Sequence, residues 1–282
     1  MYFRIYGKLD APVVLMAPDQ GMEDRALLDP LSELALQYCL LFPAYTPGMT
    51  EAEAARECAD YIRKTHAGRI WGAYGLRFGG RLLLELAALR EVRIHTVIVE
   101  GVDALPAASL SGVGGRIFFW MGARDRKAKK VCKALREQLP RLHTLTMKKL
   151  KSGADYISVR PDLMQKRLLR TFGKAKLVSV SSMMEKSADR LWRELAETPH
   201  GTAERLLSET EPVSREDETY TQIVEGKGKA LSFWSHMTHL ESKAAAETLF
   251  TDQVELNAGL LSAPVRSFAK LALRRDQRRR AK

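Results

Sequence analysis

The residues with the most chemistry to offer gather in one glycine-rich stretch, Gly75-Leu-Arg-Phe-Gly-Gly80. It lies between a strand-like run beginning at Arg69 and an amphipathic helical run, Phe78 to Leu89. Glycine at 75, 79 and 80 lets strand and helix approach where a Cβ would clash. A turn of this form lifts its central side chain clear of the backbone, a place suited to a nucleophile. The central residue here is Arg77, whose guanidinium stays protonated and has no lone pair with which to attack a carbonyl. Beside the free N–H groups of a helix start it suits an anion instead. Two expectations follow. Either an organic anion is held by Gln20, Gly21, Arg77 and Phe78, or Arg77 pairs internally with Asp19, Asp103 or Asp125 from neighbouring strand ends.

The elements that must position these groups alternate. Phe3–Gly7, Pro12–Ala17, Cys39–Ala44, His95–Gly101, Arg116–Gly122 and Leu142–Lys148 read as short apolar strands. Leu27–Tyr38, Thr50–His66, Lys127–Leu139 and Pro161–Phe172 carry helical spacing, and Thr50 with Glu53 forms a capping box. Strands alternating with helices predict a mostly parallel, doubly wound α/β sheet whose ligands bind at the carboxyl ends of its strands.

Four segments resemble the α/β-hydrolase superfamily. Val13–Gly21 is similar to the oxyanion strand, ending Pro18-Asp-Gln-Gly21 where the family has H-G-x-G. Gly75–Gly80 is similar to the nucleophile elbow. Phe118–Asp125 is similar to the acid strand, with Asp125 at the acid, and Lys151–Ser158 resembles the histidine turn. The histidine position falls on Ala154, or on Asp155 if the register slips by one. The resemblance covers residues 1–173 and implies a lid-less hydrolase domain without its nucleophile and base, which act as one unit. Asp125 then reads as the cap of the helix that follows it.

After residue 173 the pattern changes. Leu177–Ser182 reads as a strand and Ser187–Leu195 as a helix with Ser187 as N-cap. A short helical turn is expected within 198–207. Four antiparallel strands follow over 207–213, 218–225, 230–240 and 245–256, with a break at Gly226-Lys-Gly228. A long helix runs from Pro264 with Val265, Phe268, Ala269 and Ala272 on its buried face. Val178–Trp192, Thr248–Leu261 and the basic Arg274–Arg278 resemble the SRPBCC (START-like, polyketide-cyclase-like) superfamily. That resemblance implies a helix-grip α+β domain over 174–282, enclosing an apolar cavity near Trp192, Phe233, Met237, Phe250 and Phe268. His236 and His239, an odd number apart on a strand, point to opposite faces and do not share a metal.

Composition bounds the rest. The 282 residues carry a net charge of +11 and are 45% hydrophobic, and no apolar run is long enough for a membrane span. Cys39, Cys58 and Cys132 match no disulfide or metal spacing, which fits free thiols in a cytoplasmic protein. Seven cations against Asp276 alone leave +6 in the last thirteen residues. Without an interleaved aromatic this reads as a solvated helix end rather than a nucleic-acid arm. The expectation is a two-domain protein without cofactor or metal. It binds a small apolar or anionic molecule, or serves as a scaffold. The first rival is an active enzyme, an ester or acyl hydrolase or a polyketide-cyclase-like enzyme. The second is a binder of nucleic acid or anionic membrane working through the basic helix.

Overall fold

The structure is a computed structural model that describes residues 1–111, 116–139, 142–147, 160–173, 176–197, 207, 209–217, 220–228, 231–258 and 261–281. The chain divides into two compact units, Met1–Phe172 and Gly173–Lys282.

The first unit is built on a seven-stranded sheet. Its strands are β1 (Tyr2–Gly7), β2 (Val13–Ala17), β3 (Cys39–Ala44), β4 (Arg69–Leu76), β5 (Arg93–Glu100), β6 (Arg116–Gly122) and β7 (His143–Met147), in the spatial order β1-β3-β2-β4-β5-β6-β7. Only β1 runs antiparallel, against β3, and the other neighbours are parallel. β4 is buried along its whole length, as a central strand covered on both faces must be. The described helices are α1 (Asp24–Leu28), α2 (Ser32–Ala35), α3 (Glu51–His66), α4 (Phe78–Leu89), α5 (Arg126–Gln138) and α6 (Pro161–Phe172).

The single helix expected over Leu27–Tyr38 is instead α1, a 3-10 turn at Asp29–Leu31, and α2. Pro30 has no N–H for an α-helical ladder and its ring crowds the preceding turn, so the helix breaks there. Thr50 caps α3 as the sequence implies: its hydroxyl accepts from the Glu53 N–H, and the Glu53 carboxylate accepts from the Thr50 N–H at 2.9 Å. Trp71 of β4 donates its indole N–H to the Phe172 carbonyl at 3.1 Å, tying the end of α6 to the central strand.

The second unit has a five-stranded antiparallel sheet. Its strands are β8 (Lys176–Met184), β9 (Glu209–Glu216), β10 (Thr221–Gly228), β11 (Leu231–Ala244) and β12 (Glu247–Asn257), in the order β8-β12-β11-β10-β9. α7 (Ala188–Glu197) follows β8, and α8 (Ser262–Arg280) closes the chain. β10 continues through the expected break at Gly226, with a register irregularity between Gly226 and Gly228. The helical turn expected within 198–207 lies outside the described residues but for Leu207.

Two apolar clusters cover one face of this sheet. Val178, Val180, Trp234, Val254 and Leu256 pack with Ala269, Ala272 and Leu273 of α8. Met184, Leu240 and Phe250 pack with Leu191, Trp192 and Leu195 of α7. Among the described residues, no helix is long and apolar enough to cross a membrane.

Candidate functional site

At the carboxyl end of β4 the chain turns sharply into α4. Arg77 adopts φ 48° and ψ −105°, a conformation that an L-residue takes only when its surroundings enforce it. The surroundings do. A Cβ on Gly75 would lie 2.4 Å from the Gly79 carbonyl oxygen, and one on Gly79 would lie 1.9 Å from that of Ala17. A Cβ on Gly80 would lie 2.6 Å from a Val102 methyl. The Arg77 N–H is fastened to the Glu100 carbonyl at 2.8 Å, so β5 holds the turn from the other side. The backbone is therefore an elbow with an arginine at its apex.

Asp19, on the loop after β2, meets that apex. Its Oδ1 accepts from the Phe78 N–H at 3.2 Å and from the Gln20 N–H at 3.1 Å, while Oδ2 lies 3.5 Å from Arg77 Nη1. One carboxylate oxygen thus occupies the fork between the N–H just past the apex and an N–H of the neighbouring strand's loop. In an acyl-transfer enzyme, N–H groups of this provenance stabilise the oxyanion. The loop itself is pinned: Gln20 Nε2 donates to the Met49 carbonyl at 3.3 Å, and the Tyr45 hydroxyl donates to the Pro18 carbonyl at 3.2 Å. Burial, more than the nearby Cys58 and carboxylates, pushes the Tyr45 hydroxyl well above the usual phenol range, which keeps it a donor.

Of the three acids set against Arg77, Asp19 makes the pair. Asp103 pairs with Arg81 at 2.7 Å, and Arg81 also reaches Glu51 at 2.7 Å. Asp125 caps α5, accepting from the Ala128 N–H at 2.9 Å. Ala154 and Asp155 lie outside the described residues. The first unit's histidines sit elsewhere. His95 and His143 are at the amino ends of β5 and β7, the opposite edge of the sheet from Arg77, and His66 ends α3. Sequence reading overlooked the fork that fixes Asp19 as partner, because the fork exists only when the β2 loop and the start of α4 are side by side. It also overlooked Glu100, a carboxylate buried below the elbow that accepts from the Tyr74 hydroxyl at 2.9 Å.

Gln20 and Gly21 line a cleft of about 670 Å³ beside the elbow, together with Tyr2, Tyr6, Tyr45 and Arg25. Neither Arg77 nor Phe78 lines it. Its floor is organised by Asp24, 3% exposed, which accepts from Arg4 Nε at 2.7 Å and Nη2 at 3.0 Å in a two-pronged pair. Burial outweighs that partner and the Tyr6 hydroxyl, so the Asp24 carboxyl sits above its ordinary range.

In the second unit, the described members of the five residues assigned to a cavity separate. Trp192 and Phe250 share the helix-covered face of the sheet. Met237 alternates with His236 and Thr238 along β11 and so belongs to the other face. The side chain of Phe233 lies outside those described. Phe268 is 43% exposed and does not belong to the buried face of α8, which runs through Ala269, Ala272, Leu273 and Gln277. The 3.6-residue period admits both stripes, and the small residues won because they let the helix lie close to β8 and β12.

Between the two apolar clusters runs a polar seam. Asp252 accepts from His236 Nε2, the Thr238 hydroxyl and Gln277 Nε2, each at 2.9 Å, and the Ser182 hydroxyl donates to Gln277 Oε1 at 2.8 Å. The space beside it is about 30 Å³, room for one water rather than a sterol or polyketide. His239 bonds Thr221 on the other face, so the two histidines are apart as their spacing implies.

No protein-family model matches the sequence, and no curated protein matches it. Solved structures do resemble it in fold. An α/β-hydrolase family protein from Desulfitobacterium hafniense is 13% identical with a TM-score of 0.53, over 61% of this chain and 100% of its own. A marine microorganism esterase is 10% identical with a TM-score of 0.51, over 60% of this chain and 98% of its own. Naproxen esterase from Bacillus subtilis is 10% identical with a TM-score of 0.50, over 61% and 87%. The hydrolase-like segment of the chain therefore has the α/β-hydrolase fold.

Proposed function

We propose that the first unit is an α/β-hydrolase fold kept for binding, not turnover, and that its ligand is a small organic anion with an apolar or aromatic body. The observation carrying this reading is the Asp19 carboxylate in the N–H fork beside Arg77. A negative charge already fills the place where an oxyanion would have to develop, and the apex side chain cannot attack. Binding then falls to the neighbouring cleft, where tyrosines offer ring faces and Arg25 offers a cation. We also read the second unit as a helix-grip domain. Its order, strand, helix, four strands, long helix, supports that reading, and the packing of both helices on one sheet face agrees with it.

The test pairs two assays on the full chain. p-Nitrophenyl ester hydrolysis by wild type stays at the buffer rate, and Arg77→Ala and Arg77→Ser leave it there; turnover by wild type that both variants abolish overturns the non-catalytic reading. Titration calorimetry with naphthoate and other aromatic carboxylates gives binding that Arg25→Ala and Tyr2→Ala each weaken by about tenfold, equivalent to about 1.4 kcal/mol. Binding unchanged by both variants, or absent across the panel, removes the cleft from consideration.

A further inference from the structure

α8 is held to its sheet by one side only. Ala269, Ala272, Leu273 and Gln277 are buried, while Leu261 just before the helix, Phe268 and Leu271 are 50%, 43% and 67% exposed. Positions 261, 264, 268, 271, 275 and 278 recur at three and four residues, so Leu261, Pro264, Phe268, Leu271, Arg275 and Arg278 form a single stripe on the outward face. Its first half is apolar and its second half cationic. Lys270, Arg274 and Arg279 are exposed alongside. Asp276, the only acid of the segment, belongs to the inward side, where it lines the 30 Å³ cavity. The last thirteen residues carry +6. Residues 270–282 hold no aromatic, but Phe268, expected on the buried face, is exposed just ahead of them.

We propose that this face of α8 is a docking surface for an anionic phospholipid bilayer. Charge complementarity requires a negative partner, and exposed leucine and phenylalanine in line with the arginines require one that also takes up aliphatic groups. A bilayer interface offers both, with phosphate and carboxylate headgroups above an apolar layer. A nucleic-acid backbone satisfies the arginines and has nothing aliphatic to receive Leu261 and Leu271. The helix lies flat with its inward side on the sheet, so Phe268 and Leu271 enter the interface while Arg275 and Arg278 contact headgroups.

The test is co-sedimentation of the full chain with phosphatidylcholine vesicles and with phosphatidylcholine–phosphatidylserine vesicles. Wild type partitions onto the serine-containing vesicles only. Arg275→Gln/Arg278→Gln lowers the partition about thirtyfold, from about a fivefold loss per neutralised charge. Phe268→Ser/Leu271→Ser lowers it at least about tenfold. All four side chains are exposed, so both variants keep the wild-type melting curve, and each double variant tests the surface independently. Equal sedimentation with and without phosphatidylserine overturns the proposal. So does full binding by the Phe268/Leu271 variant together with displacement by duplex DNA, which would make the face a general polyanion site.

Discussion

At the scale of single residues, the candidate site is decided by which carboxylate meets Arg77. Asp103 and Asp125 have other engagements, and among the described residues Asp19 combines the guanidinium with two backbone N–H donors. The Arg77–Asp19 contact is 3.5 Å with both side chains partly solvated, so it contributes less than about 1 kcal/mol by itself. Asp19 matters more for what it excludes. Asp19→Ala is expected to leave the fold intact and to free the fork, so that inorganic phosphate, followed by titration calorimetry, binds at least about tenfold more tightly than to wild type, a change of about 1.4 kcal/mol. Unchanged phosphate affinity would mean the fork is not an anion site once vacated. Arg77→Ser is expected to give no esterase activity, because a hydroxyl without a base remains a poor nucleophile.

At the scale of elements, the elbow depends on glycines whose missing Cβ atoms are replaced by backbone. Gly79→Ala sets a methyl 1.9 Å from the Ala17 carbonyl, so β2 and α4 must separate; a loss of about 3 kcal/mol or more is expected in urea unfolding. Gly21→Ala meets nothing within 4 Å and costs only its positive φ of 81°, about 1 kcal/mol. Equal losses at the two positions would contradict the close approach of strand and helix. The same comparison separates the aromatics of the second unit. Phe250→Ala empties a buried site and costs about 3–5 kcal/mol, whereas Phe268→Ala lies on the exposed face and costs less than about 0.5 kcal/mol.

At the scale of the whole molecule, the stability of the fold has an acid-sensitive component. Burial, then Arg116 and Arg93, hold His95 neutral down to about 3, against an ordinary value of 6.5. The unfolded chain takes up this proton first, so the stability is complete above about pH 6.5 and is lost as pH falls toward 3. At pH 5 the loss is about 1–2 kcal/mol relative to pH 7.5. Urea unfolding at the two pH values should show it in wild type and show it reduced in His95→Gln; an equal loss in the variant assigns the effect to other groups.

The local signals of this chain were carried by its residues alone. The alternation of apolar strands with amphipathic helices, the capping box of Thr50 and Glu53, and the glycines of the elbow are short-range patterns. Each depends on neighbours within a turn or two, so β3, α4 and β6 could be delimited from sequence, and the hydrolase-like sheet with them. Pro30 is equally visible in the sequence, and it splits the helix that the periodicity of Leu27–Tyr38 predicts. Tertiary structure alone decided the pairings. Asp19 reaches Phe78 across 59 residues, and Gln277 reaches Asp252 across a helix–sheet interface. It also chose between the two faces that periodicity allowed α8, and that choice turned Phe268 outward. Period and propensity act along the chain. Which carboxylate meets Arg77, and which stripe of a helix is buried, depend on packing between segments far apart in sequence.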